Sequence, residues 1–96
     1  MLTGKQKRFL RALANDIDPI IQIGKGGISG NLIQQIDEAL EARELIKVRV
    51  LQNSPEVAKE AAGKIAEEVS AELVQVLGRN MLLYRPSKEE PVIELP

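Results

Sequence analysis

Apolar residues recur along this chain in two different periods, and an element ends wherever the period changes. Phe9, Leu10, Leu13 and Ile17 follow the three-and-four spacing of one helical face, and Thr3 stands ahead of them as a capping residue. Asn15-Asp16 and Asp18-Pro19 close that helix, because proline has no backbone donor with which to continue it. Pro19 to Ile23 is short and β-branched and runs into glycines, so it reads as a buried strand. Helical spacing returns from Ser29 to Glu44, with Leu32, Ile33, Ile36, Ala39 and Leu40 on one stripe and Ser29 as the cap. Leu45 to Leu51 then alternates strictly. Ile46, Val48 and Val50 point one way, while Leu45, Lys47, Arg49 and Leu51 point the other, so one face of this strand is mixed and basic.

Asn53-Ser54-Pro55-Glu56 predicts a third helix, with serine as cap, proline at the first position and a carboxylate near the positive end of the dipole. That helix runs to about Ser70, and its buried alanines imply close approach to a sheet. Glu72 to Leu77 and Met81 to Arg85 are two strands separated by Gly78-Arg79-Asn80, a hairpin by spacing and turn residues. Pro86 ends the last strand. The order α-β-α-β-α-β-β predicts an α/β domain over residues 1–86. Its sheet is four-stranded and mixed: two serial βαβ crossovers give parallel strands and the hairpin adds an antiparallel one, with the second and third helices on one face. Residues 87–96, rich in acids and prolines, are expected to form a mobile tail, although Val92, Ile93 and Leu95 could dock.

Composition narrows the chemistry. Ninety-six residues, 44% of them hydrophobic and only Phe9 and Tyr84 aromatic, suit one small aliphatic core. The absence of cysteine and histidine removes disulfides, thiolate metal sites and imidazole bases, so no cofactor is expected. No run reaches the ~20 apolar residues of a membrane span, so a cytoplasmic protein without a membrane partner is expected. The net charge of −1 conceals a polarity: residues 1–35 carry five bases against two acids, and residues 36–96 carry eight bases against twelve acids. A polyanion could therefore bind the basic side, although a pI near 5.5 weighs against that reading.

Gly24-Lys25-Gly26-Gly27 lies between a strand and a helix. Glycines let backbone N–H groups approach an anion, the following helix adds positive dipole, and the lysine adds a mobile charge. The glycines alone fit a tight turn equally well. A Walker loop finds no match anywhere, and a dinucleotide fingerprint starting at Gly24 would need glycine at position 29, which is Ser29. Asp37-Glu38 and Glu67-Glu68 are adjacent and diverge around their helices, so they read as solvated faces, and an enzyme is not expected. A Gly-x-x-Gly loop beside lysines and arginines matches the backbone clamp of KH domains, where the loop instead joins two helices. Gly27-Ile28-Ser29-Gly30 fits the same pattern, which shows how little it says alone.

Four pieces taken in order say more. Leu2-Thr3-Gly4-Lys5-Gln6-Lys7 with Leu10 and Leu13, Ile23 to Ser29, Glu44-Leu45-Ile46-Lys47-Val48, and Leu77-Gly78-Arg79 before Leu83-Tyr84-Arg85-Pro86 together resemble the CRM domain (chloroplast RNA splicing and ribosome maturation). The stand-alone bacterial YhbY-like members are the most similar. The resemblance spans residues 2–86. It implies a fold similar to the C-terminal domain of translation initiation factor three with an added N-terminal helix, together with RNA binding on precursors of the large ribosomal subunit. It also implies an RNA-binding loop at Gly24, Lys25, Gly26 and Gly27, with basic surroundings from the first helix, Lys47, Arg79 and Arg85. Family members are often clearly basic, whereas this chain is slightly acidic.

The expectation is thus a monomeric RNA-binding module. Lys5, Lys7, Arg8 and Arg11 would supply sequence-independent attraction, Lys25 would sit at the loop, and Lys47, Arg49, Arg79 and Arg85 would extend the surface across the sheet. So few aromatics favour backbone and shape recognition of folded RNA over base stacking. The alternative is a protein-interaction adaptor that docks on a ribosomal protein or assembly factor, its glycine loop merely a turn. Lys25→Ala should weaken RNA binding, and valine at Gly26 or Gly27 should disturb the loop.

Overall fold

Capping begins the first helix where the sequence places it. In a computed structural model that describes residues 1–96, α1 spans Gly4–Leu13. Thr3 Oγ1 accepts from Gln6 N at 3.1 Å, and Gln6 Oε1 accepts from Thr3 N at 3.0 Å, which is a reciprocal capping box. A 3-10 turn over Ala14–Asp16 ends it. Leu10 and Ala14 face the core, while Leu13, expected there, is 43% exposed. Leu10 and Ala14 are an i, i+4 pair on one α-helical line, and Leu13 falls to the side of the stripe they define.

β1 (Ile21–Ile23) leads into α2 (Gly30–Arg43), capped by Ser29, whose Oγ accepts from Leu32 N at 3.1 Å. β2 (Leu45–Val50) alternates as expected, burying Ile46, Val48 and Val50 against the helices. α3 spans Ala58–Glu68 and starts later than the sequence predicts. Ser54 Oγ accepts from Glu56 N at 3.2 Å, and this bond two residues along holds Pro55 in a local turn instead of a first helical turn. Ala61, Ala62, Ile65 and Ala66 of α3 are buried on the sheet, as the alanine content implied. Ser70, at φ 56, closes α3: Ala71 N donates to Ala66 O at 2.8 Å and Ser70 N to Glu67 O at 3.3 Å, the paired bonds of a Schellman ending.

β3 (Glu72–Leu77) and β4 (Asn80–Tyr84) form a hairpin in which Leu77 pairs with Asn80 across Gly78-Arg79. Gly78 has φ +60 and Arg79 does not have a positive φ, which is the pattern of a two-residue II′ turn. The sheet order is β1-β2-β4-β3. β1 and β2 are parallel, β4 is antiparallel to both its neighbours, and so β3 runs with β1 and β2, giving the mixed sheet that was expected.

Two cores result. Ile36, Leu40, Ile65, Ile46, Val48, Met81 and Leu83 fill the space between α2, α3 and one sheet face. Leu10, Ala14, Leu45, Val74, Leu82 and Tyr84 fill the space beneath α1 on the other. Residues 87–96 contain no helix or strand and lie against this second layer, with Ile93 and Leu95 packed on it. The Glu44 carboxylate accepts from the backbone N–H groups of Ser87 at 2.8 Å, Val92 at 2.8 Å and Ile93 at 2.9 Å. No helix is long and apolar enough to cross a membrane.

Candidate nucleic-acid interface

Three segments meet at one end of the sheet. Leu51 N donates to Ile23 O at 2.9 Å, joining the end of β2 to the residue from which the glycine loop departs. Val50 N donates to Arg79 O at 2.8 Å, bringing the hairpin tip to the same end. Lys25 in the loop, Arg79 at the tip and Arg49 on β2 are all exposed. Gln22 of β1 pairs with Arg49, and Arg49 pairs with Asn80 of β4, so these three side chains share the face that α1 covers lower down.

Lys47 lies two residues before Arg49 on that face and is half-buried. It lines a cleft with Arg11 and Asn15 of the first helical segment and with Gln75 and Asn80 of the hairpin. Lys7 lies one turn before Arg11 and is also half-buried, while Lys5 and Arg8 are exposed further along α1. The only ion pairs in the molecule are Arg85 with Asp37 and the Met1 amino group with Glu72, so every other expected cation is free to meet an external anion.

Arg85 is the exception among the expected binding residues. Only 8% exposed, it donates from Nη1 to Asp37 Oδ1 at 2.6 Å and to Val69 O at 2.8 Å, and from Nη2 to Asp37 O at 3.0 Å. It therefore satisfies the carbonyl at the end of α3 and ties it to α2, which removes it from any RNA-facing surface. Its position just before Pro86 resembled a surface charge because nothing local shows where α2 and α3 converge.

The loop itself is a hydrogen-bonded turn, with Gly27 N donating to Gly24 O at 3.1 Å. Gly27 has φ +63, and a Cβ there would lie 2.7 Å from Glu56 Oε2. Gly26 has open space around it, and a Cβ on Gly24 would meet only Leu51 Cδ1 at 3.9 Å, an ordinary contact. The expectation that a side chain at Gly26 disturbs the loop is therefore corrected: only position 27 demands glycine. Gly27→Ala should cost about 1–2 kcal/mol through its left-handed φ, whereas Gly26→Ala should be neutral or stabilise by up to ~1 kcal/mol. Chemical denaturation of the two variants checks the contrast.

Glu56 was legible only as a helix-start carboxylate, yet it folds back on Gly27. Its charge disfavours an anion on that side and leaves the Gly24 to Gly26 side of the turn suited to a phosphate.

Comparison with known proteins identifies the family. The family model described as the CRS1 / YhbY (CRM) domain matches residues 2–85. The chain belongs to the CRM domain family. A Bacillus subtilis relative named "Probable RNA-binding protein YqeI" is 55% identical over 96 residues, covering 100% of both chains. A Haemophilus influenzae CRM relative named "RNA-binding protein" is 39% identical over 95 residues, covering 99% of this chain and 95% of its own. The solution structure of the Staphylococcus aureus protein SAV1595 superposes with a TM-score of 0.82 at 61% identity and covers 100% of both chains. The CRM family thus includes stand-alone relatives of this length that are named for RNA binding.

Proposed function

We propose that this chain binds structured ribosomal RNA through its phosphate backbone and acts during assembly of the large ribosomal subunit. Lys25 and the bare loop amides receive one phosphate. Arg49, Arg79, Lys47 and Arg11 carry the contact across the open part of the sheet, and Lys5, Lys7 and Arg8 attract the polyanion from further along α1.

One observation carries this reading. Of the three loop glycines the fold requires only Gly27, while Gly26 leaves exposed backbone with open space around it beside an unpaired lysine. Uncovered backbone at a helix entrance suits the approach of another molecule's phosphate. The names of the relatives support RNA as that molecule, and the family resemblance supports the large-subunit precursor.

The test is a titration of purified protein with ribosomal RNA over a range of salt. The logarithm of affinity should fall with log salt at roughly −0.7 to −0.9 per phosphate contact, and Lys25→Ala or Arg79→Ala should each weaken binding and reduce the slope by about 1 without altering stability. Wild-type affinity and slope in Lys25→Ala would remove the loop from the interface. Failure to co-sediment with large-subunit precursors in a sucrose gradient would remove the assembly role.

A further inference from the structure

The cleft beneath α1 has chemistry that phosphate binding alone leaves unused. Its volume is about 120 Å³, well above the ~10–15 Å³ that one water requires. Leu77 and Leu82 give it aliphatic walls, Asn15, Gln75 and Asn80 bring three carboxamides to it, Arg11 and Lys47 add positive charge, and no carboxylate lines it.

Asn80 Oδ1 is shut away from solvent without a hydrogen-bond donor. An orphaned amide oxygen of this kind is destabilising until it finds a donor. The terminal amide torsion is broad and two-fold, so a half-turn exchanges this closed-off oxygen with the NH2 group. A ligand that fits must be apolar on its faces, carry donors and acceptors along one edge, and have a negative charge attached.

We propose that the cleft receives one unstacked nucleobase of the bound RNA. Asn80 and Gln75 hydrogen-bond its edge, the aliphatic walls cover its faces, and Arg11 and Lys47 hold the adjoining phosphate. The inference rests on the RNA reading above and adds base selection to a surface that otherwise reads only backbone. Its position suits the role. Arg49 lies opposite Asn80 in the strand register and leads from the cleft toward the loop end of the sheet. Neither aromatic side chain competes, since Tyr84 is buried and Phe9 packs on the core beneath α1.

Isotope-labelled protein titrated separately with AMP, GMP, CMP, UMP and ribose 5-phosphate tests this by NMR. At least one nucleotide should shift the side-chain amide signals of Asn80 and Gln75, while ribose 5-phosphate should leave them in place. Asn80→Ala and Gln75→Ala should each weaken that nucleotide severalfold, with ribose 5-phosphate binding unchanged. Identical shifts from all five compounds, or no shift of the two amides, would overturn the base site. Salt-dependent RNA binding that persists beside such a negative result would leave the RNA reading standing. Nucleotide shifts without RNA binding would overturn that reading instead.

Discussion

Replacing Arg85 by alanine is expected to lower the unfolding free energy by about 3 kcal/mol, a fall of roughly 15 °C in melting temperature for a domain of this size. The guanidinium spans two helices: Val69 O at the end of α3, and both the side chain and the carbonyl of Asp37 on α2. Its backbone N–H also donates to Glu44 O at 2.9 Å, a bond the substitution keeps. Because the Asp37 side chain is 52% exposed, the ion pair itself contributes little, and most of the loss comes from the buried Val69 carbonyl left without its donor. Lysine at this position should restore only part of the stability, since an ammonium cannot span the same fork. Thermal melting measures the loss, and RNA titration below the melting range supplies the contrast. Affinity and salt slope should match wild type while the protein is folded. A variant that melts normally but binds RNA poorly would return Arg85 to the interface.

Glu44→Gln is expected to release residues 87–96 and cost about 1–2 kcal/mol. Oε2 accepts from Ser87 and Oε1 accepts from Val92 and Ile93, so either orientation of a glutamine amide turns an NH2 toward a backbone N–H. Burial pushes this carboxyl upward, but the N–H groups of Ser87, Ile93 and Val92 outweigh it and hold it below its ordinary value of 4.5. Glu41 is lowered as well, first by the Ser87 hydroxyl and then by the Lys88 N–H. Both native values lie below the unfolded ones, so the stabilisation is fully present above the unfolded value and is lost as pH falls through the native value. Acidification below pH 4.5 should therefore loosen the tail in wild type, and Glu44→Gln should flatten part of that dependence, with Glu41 supplying the remainder. Amide exchange of Val92 and Ile93 against pH measures it. Protection that survives in Glu44→Gln at neutral pH would show that the carboxylate does not hold the segment.

Legibility in the sequence followed the range of the interactions. Ser29, Thr3 and the alternation of β2 were readable because capping and a period of two act over a few residues. The start of α3 was misplaced because Ser54 serves a turn and a helix cap with the same hydroxyl, and the sequence alone does not choose between them. The order of the strands was not readable, since the β2 to β4 pairing joins segments more than thirty residues apart in sequence. The candidate surface divides in the same way. Lys25, Arg49 and Arg79 were readable as cations, but their gathering at one end depends on the bonds from Val50 to Arg79 and from Leu51 to Ile23. Asn80 carried only a turn signal, and the burial of its unpaired oxygen is a product of the tertiary fold.

The strand that joins the two halves of the sheet is the last to be synthesised. β1 and β2 form one pair, β3 has no partner except β4, and only β4 connects them. A nascent chain that has not yet exposed Asn80 to Tyr84 therefore holds two disconnected parts, with Arg49 on one and Arg79 on the other. The β2 to β4 pairing that completes the sheet spans more than thirty residues of sequence, and non-local pairing of this kind forms late because loop closure must precede it. On the RNA-binding reading proposed above, the cations at the loop end of the sheet are gathered into one surface only when this single late segment has emerged.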